Sequence, residues 1–270
     1  MQSIIRFFIK SNIWVAVCIL GLVFSTEILL NVTNYKISLF VFFSTIFAYN
    51  FQRIVRTQTD HKHIDKSFLE NNKNIIYILM FLALIVNIYL FYTFKLSTQI
   101  MILLIGALSF FYPFGLRKIP FAKIFIISFV WAVSAMLLIV FENNIPISES
   151  VVLKFISLFF FVFAITMPFD IRDVDLDLKN VVTIPLFFGV NKARIFAFIA
   201  LFICGLISFF QYFNMYLSFS SLLALVLLYV FSFVFIQKSD KSNQKMYYSF
   251  WGESLSLLSY FLLVISESIF

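Results

Sequence analysis

Four aspartates lie within eight residues of this sequence, directly after a long apolar segment. The apolar segment is Val151–Phe169, and the acidic run after it reads Asp170-Ile-Arg-Asp173-Val-Asp175-Leu-Asp177. On a helix, at 100° per residue, Asp170, Asp173 and Asp177 fall within about 60° of one another, whereas Asp175 points elsewhere. Carboxylates that converge in this way suit Mg²⁺, which usually also bridges to substrate phosphates. The run therefore predicts a Mg²⁺ site, and a solvated acidic loop is the alternative.

The composition indicates which class of protein must position these carboxylates. The chain has 270 residues, of which 62% are hydrophobic and only 12% are charged. Such values are far from those of a water-soluble domain and are typical of a polytopic membrane protein. We expect a single transmembrane domain over residues 1–270. A nucleic-acid-binding protein would need a basic groove on a folded soluble domain, and the sequence has no such domain.

Apolar stretches of membrane-spanning length occur about nine times. The backbone N–H and C=O groups of a segment in lipid must form hydrogen bonds within that segment. These spans are therefore predicted as helices and the fold as an all-α bundle. A count of eight is the alternative. The predicted spans are Ile13–Leu30, Ile37–Val55, Ile75–Thr93, Ser97–Phe114, Ile124–Phe141, Val151–Phe169, Ile195–Gln211, Tyr216–Ile236 and Glu253–Phe270.

The distribution of positive charge predicts the orientation of this layout. If the N-terminus is cytoplasmic, all 20 Lys and Arg residues except Lys36, Lys95 and Lys154 lie at the cytoplasmic side. This asymmetry is what the positive-inside rule describes, so we expect a bacterial inner-membrane protein with its C-terminus outside. The long loops, about 56–74, 115–123, 170–193 and 237–252, then share the cytoplasmic face. A site between helices at that face is the natural expectation.

The acidic run and the residues after it resemble the second aspartate motif of the UbiA-type intramembrane prenyltransferases. In that family Asp-x-x-Asp-x-x-x-Asp is followed by Lys, by Thr-Leu-Pro, and by Gly before Lys-Ala-Arg. Here the corresponding residues are Lys179, Thr183-Ile-Pro185, Gly189 and Lys192-Ala-Arg194. Tyr112-Pro113 and the stretch from Arg117 to Lys123 are similar to the family's Tyr-Pro and Lys-Arg segment, and Tyr247-Tyr248 to Gly252 is a fainter match.

The resemblance implies both the fold and the chemistry. Members have nine helices, with the site at the cytoplasmic face, and transfer a prenyl group from an isoprenyl diphosphate to a lipophilic acceptor. By resemblance, Asp170, Asp173 and Asp177 would hold Mg²⁺, which assists the ionisation of the diphosphate. Lys179, Arg117 and Lys123 would contact diphosphate oxygens. The acceptor and the oligomeric state do not follow from these motifs.

The family's first motif, Asn-Asp-x-x-Asp-x-x-x-Asp, is degenerate here. Asn50 matches, but Phe51, Ile54 and Gln58 stand where the family has carboxylates. Asn50 and Arg53 lie at i and i+3, on one helical face, so both are candidates for contacts to the diphosphate. A guanidinium can clamp two oxygens and replace part of the charge of a lost Mg²⁺. The alternative is that Arg53 is only a positive-inside anchor.

Three function classes remain open from the sequence. The intact second motif favours a prenyltransferase, whereas the degenerate first motif is compatible with a non-catalytic relative that binds a lipid or quinone as a membrane partner. A transporter would show internal repeats or broken mid-membrane helices, and neither is visible. A separate polar loop, Asp60-His61-Lys62-His63-Ile64-Asp65, could ligate a metal or could simply be solvated.

Overall fold

A computed structural model describes residues 2–59, 66–177, 181–242 and 246–269. Within these ranges the regular structure is helical. The first half of the chain forms α1 (Gln2–Lys10), α2 (Ile13–Leu30), α3 (Tyr35–Thr59), α4 (Lys66–Asn71), α5 (Lys73–Thr93) and α6 (Leu96–Phe111).

A 3₁₀ turn at Leu116–Lys118 leads into the second half of the chain. There the helices are α7 (Ala122–Ala132), α8 (Leu138–Glu142), α9 (Glu149–Arg172), α10 (Val174–Asp177), α11 (Ile184–Phe188), α12 (Val190–Phe213), α13 (Phe219–Gln237) and α14 (Glu253–Ile269). A π-helical turn at Val133–Leu137 joins α7 to α8, so Ala122–Glu142 forms one continuous apolar helical segment. A second π-helical turn, Tyr247–Gly252, runs directly into α14.

The predicted spans correspond to these helices. In the described residues, eight helices are long and apolar enough to cross a membrane. The predicted span Ser97–Phe114 corresponds to α6, which is apolar but has only 16 residues. At 1.5 Å per residue α6 is about 24 Å long, short of a typical 30 Å hydrocarbon core. The all-α membrane fold is confirmed, whereas a count of nine spans stays a prediction.

Short polar and glycine-containing segments end the helices. Asn12 has a left-handed backbone, with φ 62°, and separates α1 from α2. The Ser148 side chain accepts a hydrogen bond from the backbone N–H of Val151 and caps α9, and Ser218 caps α13 in the same way. Gly189 separates α11 from α12 at φ 87°, a conformation that glycine adopts without steric cost.

The long helices form a ring around an internal cavity. α2 packs against α3 and α14, α3 against α5, α7 against α9, α9 against α12, and α13 against α12 and α14. The contact between α2 and α14 is very close at Gly21, where a Cβ atom would lie 2.5 Å from the Leu257 Cα atom. Small residues permit this kind of helix approach in membrane proteins, where lipid offers no hydrophobic driving force between helices.

Candidate functional site

The ring of helices encloses a cavity of about 840 Å³. Arg56 and Phe40 of α3 both line it, near opposite ends. Sixteen residues of α3 separate them, which corresponds to about 24 Å along the helix axis. The cavity therefore reaches through most of the apolar thickness of the bundle.

The two ends of the cavity differ in polarity. One end, which we call the polar end, is lined by charged side chains, namely Lys10, Arg53, Arg56, Arg117, Lys123, Asp170, Arg172, Asp173 and Glu253. The other end is lined by apolar side chains that include Ile19, Phe40, Val41, Ile102, Ile105, Ile127 and Leu138. If all the charged groups are ionised, cations outnumber carboxylates at the polar end. The cavity thus suits an elongated ligand with an anionic head and an apolar tail.

Asp170 lies in the last turn of α9 and is almost completely buried in the cavity wall. Its Oδ1 atom is 2.7 Å from the Nζ atom of Lys123, and their side chains are 1% and 9% exposed. Lys123 lies in the first turn of α7, and Phe121, two residues earlier, donates its backbone N–H to the Val182 carbonyl at 2.9 Å. This bond ties the start of α7 to the chain that follows the acidic run. Two sequence-predicted site residues are therefore brought into direct contact.

Asp173 forms a fork with the adjacent arginine. Arg172 Nε and Nη2 donate to its two carboxylate oxygens at 2.7 and 2.8 Å. The guanidinium also lies over the rings of Phe169 and Tyr248, at 5.3 and 5.7 Å. Burial alone would raise the pKa of Asp173, but the Arg172 fork and the charges of Lys123 and Arg56 outweigh it, so the pKa lies below its usual value.

The other aspartates of the acidic run lie elsewhere or outside the described region. The exposed carboxylate of Asp175 pairs with Lys241 Nζ at 2.9 Å. Asp177 ends α10, but its side chain lies outside what the structure describes, and Lys179 lies outside it altogether. Among the described residues, no three His, Cys, Asp or Glu side chains gather closely enough to hold a metal by themselves. The predicted metal loop at 60–65 also lies outside the described residues.

Asn50 is fully buried and links three helices. Its Nδ2 atom donates to the carbonyls of Ser11 and Ile46 at 2.9 Å, and its Oδ1 atom accepts from Asn12 Nδ2 at 2.9 Å. Because buried polar groups are costly without partners, this network stabilises the break between α1 and α2 against α3. Its amide group is thus used in contacts between helices, and Asn50, a predicted diphosphate contact, does not itself line the cavity.

Arg53 joins the same network one helical turn away. Its guanidinium donates to the Lys10 carbonyl and, at 2.6 Å, to Asn12 Oδ1. Arg53 also lines the cavity, as do Lys10 and Asn12. The Lys10 carbonyl and the Asn12 side chain, at the break between α1 and α2, therefore hold the guanidinium at the polar end. The helical spacing predicted that Asn50 and Arg53 share a face, but their common partner Asn12 was not predictable from that spacing.

Arg117 lies in the 3₁₀ turn after α6 and lines the polar end. Its backbone N–H donates to the Tyr112 carbonyl at 3.1 Å, so the turn is folded back onto the end of α6. Tyr112 is buried and also lines the cavity. The Tyr-Pro and Lys-Arg segment singled out in the sequence therefore contributes Tyr112, Arg117 and Lys123 to one wall.

Several cavity residues were missed by the sequence reasoning. Arg56 and Arg172 were read only as positive-inside charges, and Glu253 was read only as the first residue of the last span. All three line the polar end. A carboxylate beside an apolar segment was a usable signal for Glu253, because such groups are expensive at membrane boundaries.

Comparison with known proteins identifies the family. The model of the UbiA prenyltransferase family matches residues 72–254, about two thirds of the chain. The chain belongs to the UbiA prenyltransferase family. It is an integral membrane protein, in agreement with its apolar helices. Among proteins of curated function, none matches the sequence significantly.

Solved structures of UbiA homologues share the fold of this chain. The apo homologue from Aeropyrum pernix K1 superposes with a TM-score of 0.72 at 11% identity, covering 94% of this chain and 97% of the homologue. The Archaeoglobus fulgidus homologue, bound to DMAPP and Mg²⁺, gives a TM-score of 0.69 at 13% identity, covering 98% and 99%. A digeranylgeranylglyceryl phosphate synthase gives 0.60 at 15% identity, covering 98% of both chains. At these identities the likeness concerns the fold alone.

Proposed function

We propose that this UbiA-family protein transfers a prenyl group from an isoprenyl diphosphate to a lipophilic acceptor. The observation that carries the proposal is the polarity of the cavity, which is about 24 Å long, with clustered cations and buried carboxylates at one end and a mostly apolar wall beyond them. A diphosphate head and an isoprenoid tail have this same division. The DMAPP and Mg²⁺ bound by the A. fulgidus homologue support the choice of ligand class.

The diphosphate would lie among the basic side chains of the polar end. Lys123 and Arg117 come from the wall that resembles the family segment, and Arg53 faces the cavity from α3. Fixed cations at the place where negative charge develops stabilise a leaving group without reorganisation. Asn50 would act at this end mainly by holding Arg53 and α1 in place, and Lys179 would complete the cationic set.

The donor set at the polar end fits one Mg²⁺ ion. Asp170 and Asp173 both line the cavity, and Mg²⁺ is commonly held by one or two carboxylates together with substrate phosphates. Asp170, Asp173 and Asp177 are the proposed ligands. When bound, the ion supplies an electrophile that draws charge from the departing diphosphate. Lys123 and Arg172, which now neutralise these carboxylates, would turn toward the diphosphate oxygens instead.

The proposal includes an orientation in the membrane. The polar end would face the cytoplasm of a bacterial cell, since the loops beside it carry most of the basic residues. The N-terminus would then be inside and the C-terminus outside. In this orientation a soluble diphosphate head reaches the polar end from the cytoplasm, while the acceptor enters from the lipid.

One observation favours a non-catalytic relative as the second candidate. Both described carboxylates of the proposed metal site are engaged by basic neighbours, Asp170 by Lys123 and Asp173 by Arg172. The first-motif position provides Asn50 and Arg53 where the family has further carboxylates. Such a site could hold an anionic lipid without ionising it.

Pyrophosphate release separates the two candidates. Purified protein would be incubated with labelled geranyl, farnesyl and longer diphosphates, with and without Mg²⁺. A prenyltransferase releases pyrophosphate only with Mg²⁺, and Asp170→Asn and Asp173→Asn lower that release strongly. Asp175→Asn is the matched control, because Asp175 pairs with Lys241 at an exposed position. Binding of the diphosphates without any release, with any acceptor offered, would support the non-catalytic candidate.

A further inference from the structure

The wall formed by the start of α14 carries a row of polar side chains. Ser249, Glu253 and Ser256 all line the cavity. Their spacing of four and three residues places them along one helical face. Ser249 lies in the π-helical turn Tyr247–Gly252, a feature that often marks functional sites within helices. The row leads from the polar end of the cavity into its apolar part.

Glu253 differs from the other two described carboxylates of the polar end. Asp170 and Asp173 each contact a basic side chain at 2.7 Å. The Glu253 carboxylate has no hydrogen bond and no ion pair among the described residues, and the two cations that act on it, Arg172 and Arg53, do so at longer range. It is partly buried, and its exposed part faces the cavity. This carboxylate is therefore available to a ligand that occupies the cavity.

Ser256 provides a second, deeper polar group on the same face. The residue is 0% exposed, and its Oγ atom has no hydrogen-bond partner. A buried hydroxyl without a partner costs free energy that a bound polar group can recover. Glu253 and Ser256 thus offer two hydrogen-bonding positions. The proposed prenyl tail is apolar and can use neither of them.

We infer that Glu253 binds the O–H group of the acceptor and takes up its proton when the prenyl bond forms, which makes the acceptor a lipophilic phenol or alcohol. This inference rests on the proposed prenyl transfer. In the step, the allylic C–O bond breaks and its electron pair leaves with the diphosphate. The acceptor oxygen forms the new bond to the allylic carbon, and the proton on that oxygen passes to the carboxylate of Glu253.

The charges around Glu253 fit this role better than that of a second metal ligand. The nearby charges of Arg172 and Arg53 are both cationic and favour the ionised carboxylate, whereas its burial favours the neutral form, so the group can both release and take up a proton. A Mg²⁺ ion beside it would be repelled by both guanidinium groups. Moreover, among the residues described, Glu253 belongs to no cluster of three potential metal-binding side chains.

A matched pair of probes tests the inference without knowledge of the natural acceptor. Labelled 4-dodecylphenol and 4-dodecylanisole differ at the oxygen, where a methyl group replaces the phenolic hydrogen. Retention of each probe by the purified full-length protein, in the absence of diphosphate, gives the preference for a free O–H group. We expect the phenol to bind about tenfold more tightly, as for a charge-assisted hydrogen bond.

Variants assign this preference to Glu253. Glu253→Gln should lower it to about threefold or less, since an amide accepts a weaker hydrogen bond than a carboxylate. Glu253→Asp, which keeps the charge, should restore part of it, and Ser256→Ala should lower it slightly. Glu267→Gln is the matched control, because Glu267 is an exposed residue near the other end of α14. An equal preference in the wild-type protein and Glu253→Gln overturns the inference.

A second measurement separates this inference from the proposed function. Binding of a non-hydrolysable geranyl diphosphate analogue with Mg²⁺ should change less than about twofold in Glu253→Gln. A large loss would place Glu253 in the diphosphate or metal site and overturn its role toward the acceptor. If the wild-type protein does not bind the analogue at all, the prenyl-transfer proposal fails, whereas the probe preference still decides whether Glu253 holds an O–H group.

Discussion

The Nζ atom of Lys123 lies 2.7 Å from Oδ1 of Asp170, and both side chains are at least nine-tenths buried in the cavity wall. The pair joins the first turn of α7 to the last turn of α9. A buried ion pair is weak evidence for stability, because desolvation offsets the attraction. In the proposed function Lys123 would release Asp170 to the metal and turn toward the diphosphate.

Removal of Lys123 alone should destabilise the protein. Lys123→Met leaves the Asp170 carboxylate buried without its ion-pair partner, a change that typically costs about 3–5 kcal/mol. The double variant Lys123→Met, Asp170→Asn should regain most of the lost stability, because the uncompensated charge is gone. Unfolding midpoints in one detergent compare the three proteins. A single variant as stable as the wild type would show that the pair is not electrostatically coupled.

The Arg172–Asp173 fork predicts a loss of stability in acid. The pKa of Asp173 is lower in the folded protein than its ordinary value, about 3.9. The stabilisation is therefore fully present above pH of about 4 and is lost as the pH falls through the lowered folded pKa. Unfolding midpoints measured at decreasing pH should show this loss in the wild type. Asp173→Asn should lack that part of the pH dependence, and identical curves would contradict the prediction.

Arg53 should contribute both to the fold and to diphosphate binding. Arg53→Ala removes donors to the Lys10 carbonyl and to Asn12, so it should lower stability. It also removes a cation from the polar end, so it should weaken diphosphate binding by a few kcal/mol at most, as for a charge-assisted hydrogen bond. Arg53→Lys should recover only part, because a point charge lacks the guanidinium fork. Titration with a non-hydrolysable geranyl diphosphate analogue gives the affinities.

Asn12→Ala is the control for the structural part of the Arg53 effect. It removes a partner of Arg53 and of Asn50 but keeps the cationic charge in the cavity. We expect lower thermal stability with a smaller loss of affinity. If Arg53→Ala binds the analogue as tightly as the wild type, Arg53 is only a topology anchor, and the non-catalytic candidate becomes stronger.

The close contact at Gly21 predicts a sharp steric limit. A Cβ atom there would lie 2.5 Å from the Leu257 Cα atom and 2.6 Å from the Ser256 carbonyl oxygen, both backbone atoms. Gly21→Ala should therefore separate α2 from α14 and cost about 1–3 kcal/mol, as overpacking does. Gly205→Ala on α12 is the matched control, since nothing lies within 4 Å of its added Cβ. Thermal unfolding of both variants measures the difference.

The orientation of the chain is testable with reporter fusions. Fusions after residues 65, 120, 183 and 245 should all report the cytoplasm, because the basic residues cluster in these loops. The same orientation places the polar end of the cavity at the cytoplasmic face. An external signal at 120 or 183 would contradict both the span order and the orientation of the proposed site.

The membrane class and the helices were predictable from the sequence because both depend on local composition. An apolar run of about 20 residues must be helical in lipid, whatever its neighbours are. The predicted spans Ile13–Leu30 and Ile75–Thr93 lie close to α2 and α5 for this reason. The acidic run was also visible, since four carboxylates next to an apolar segment are rare and expensive.

The partners of those carboxylates were decided by the tertiary structure. The acidic run was predicted as one continuous helical face, whereas α9 ends at Arg172 and Asp173 has a non-helical backbone at its cap. Lys123, which is 47 residues from Asp170, meets it only because α7 packs against α9. Charge pairing across such distances depends on which helices are neighbours, and hydropathy carries no information about that.

Glu253 likewise was visible in the sequence, whereas its position in the cavity depends on the tertiary structure. Its carboxylate was visible in the sequence at the start of the last apolar span. Only the closure of the ring, in which α14 packs on α2 and α13, turns its face toward a cavity that it shares with Asp170 and Arg53. That this chain folds as helices in a membrane follows from the composition of each segment alone. The packing of those helices decided which polar groups meet.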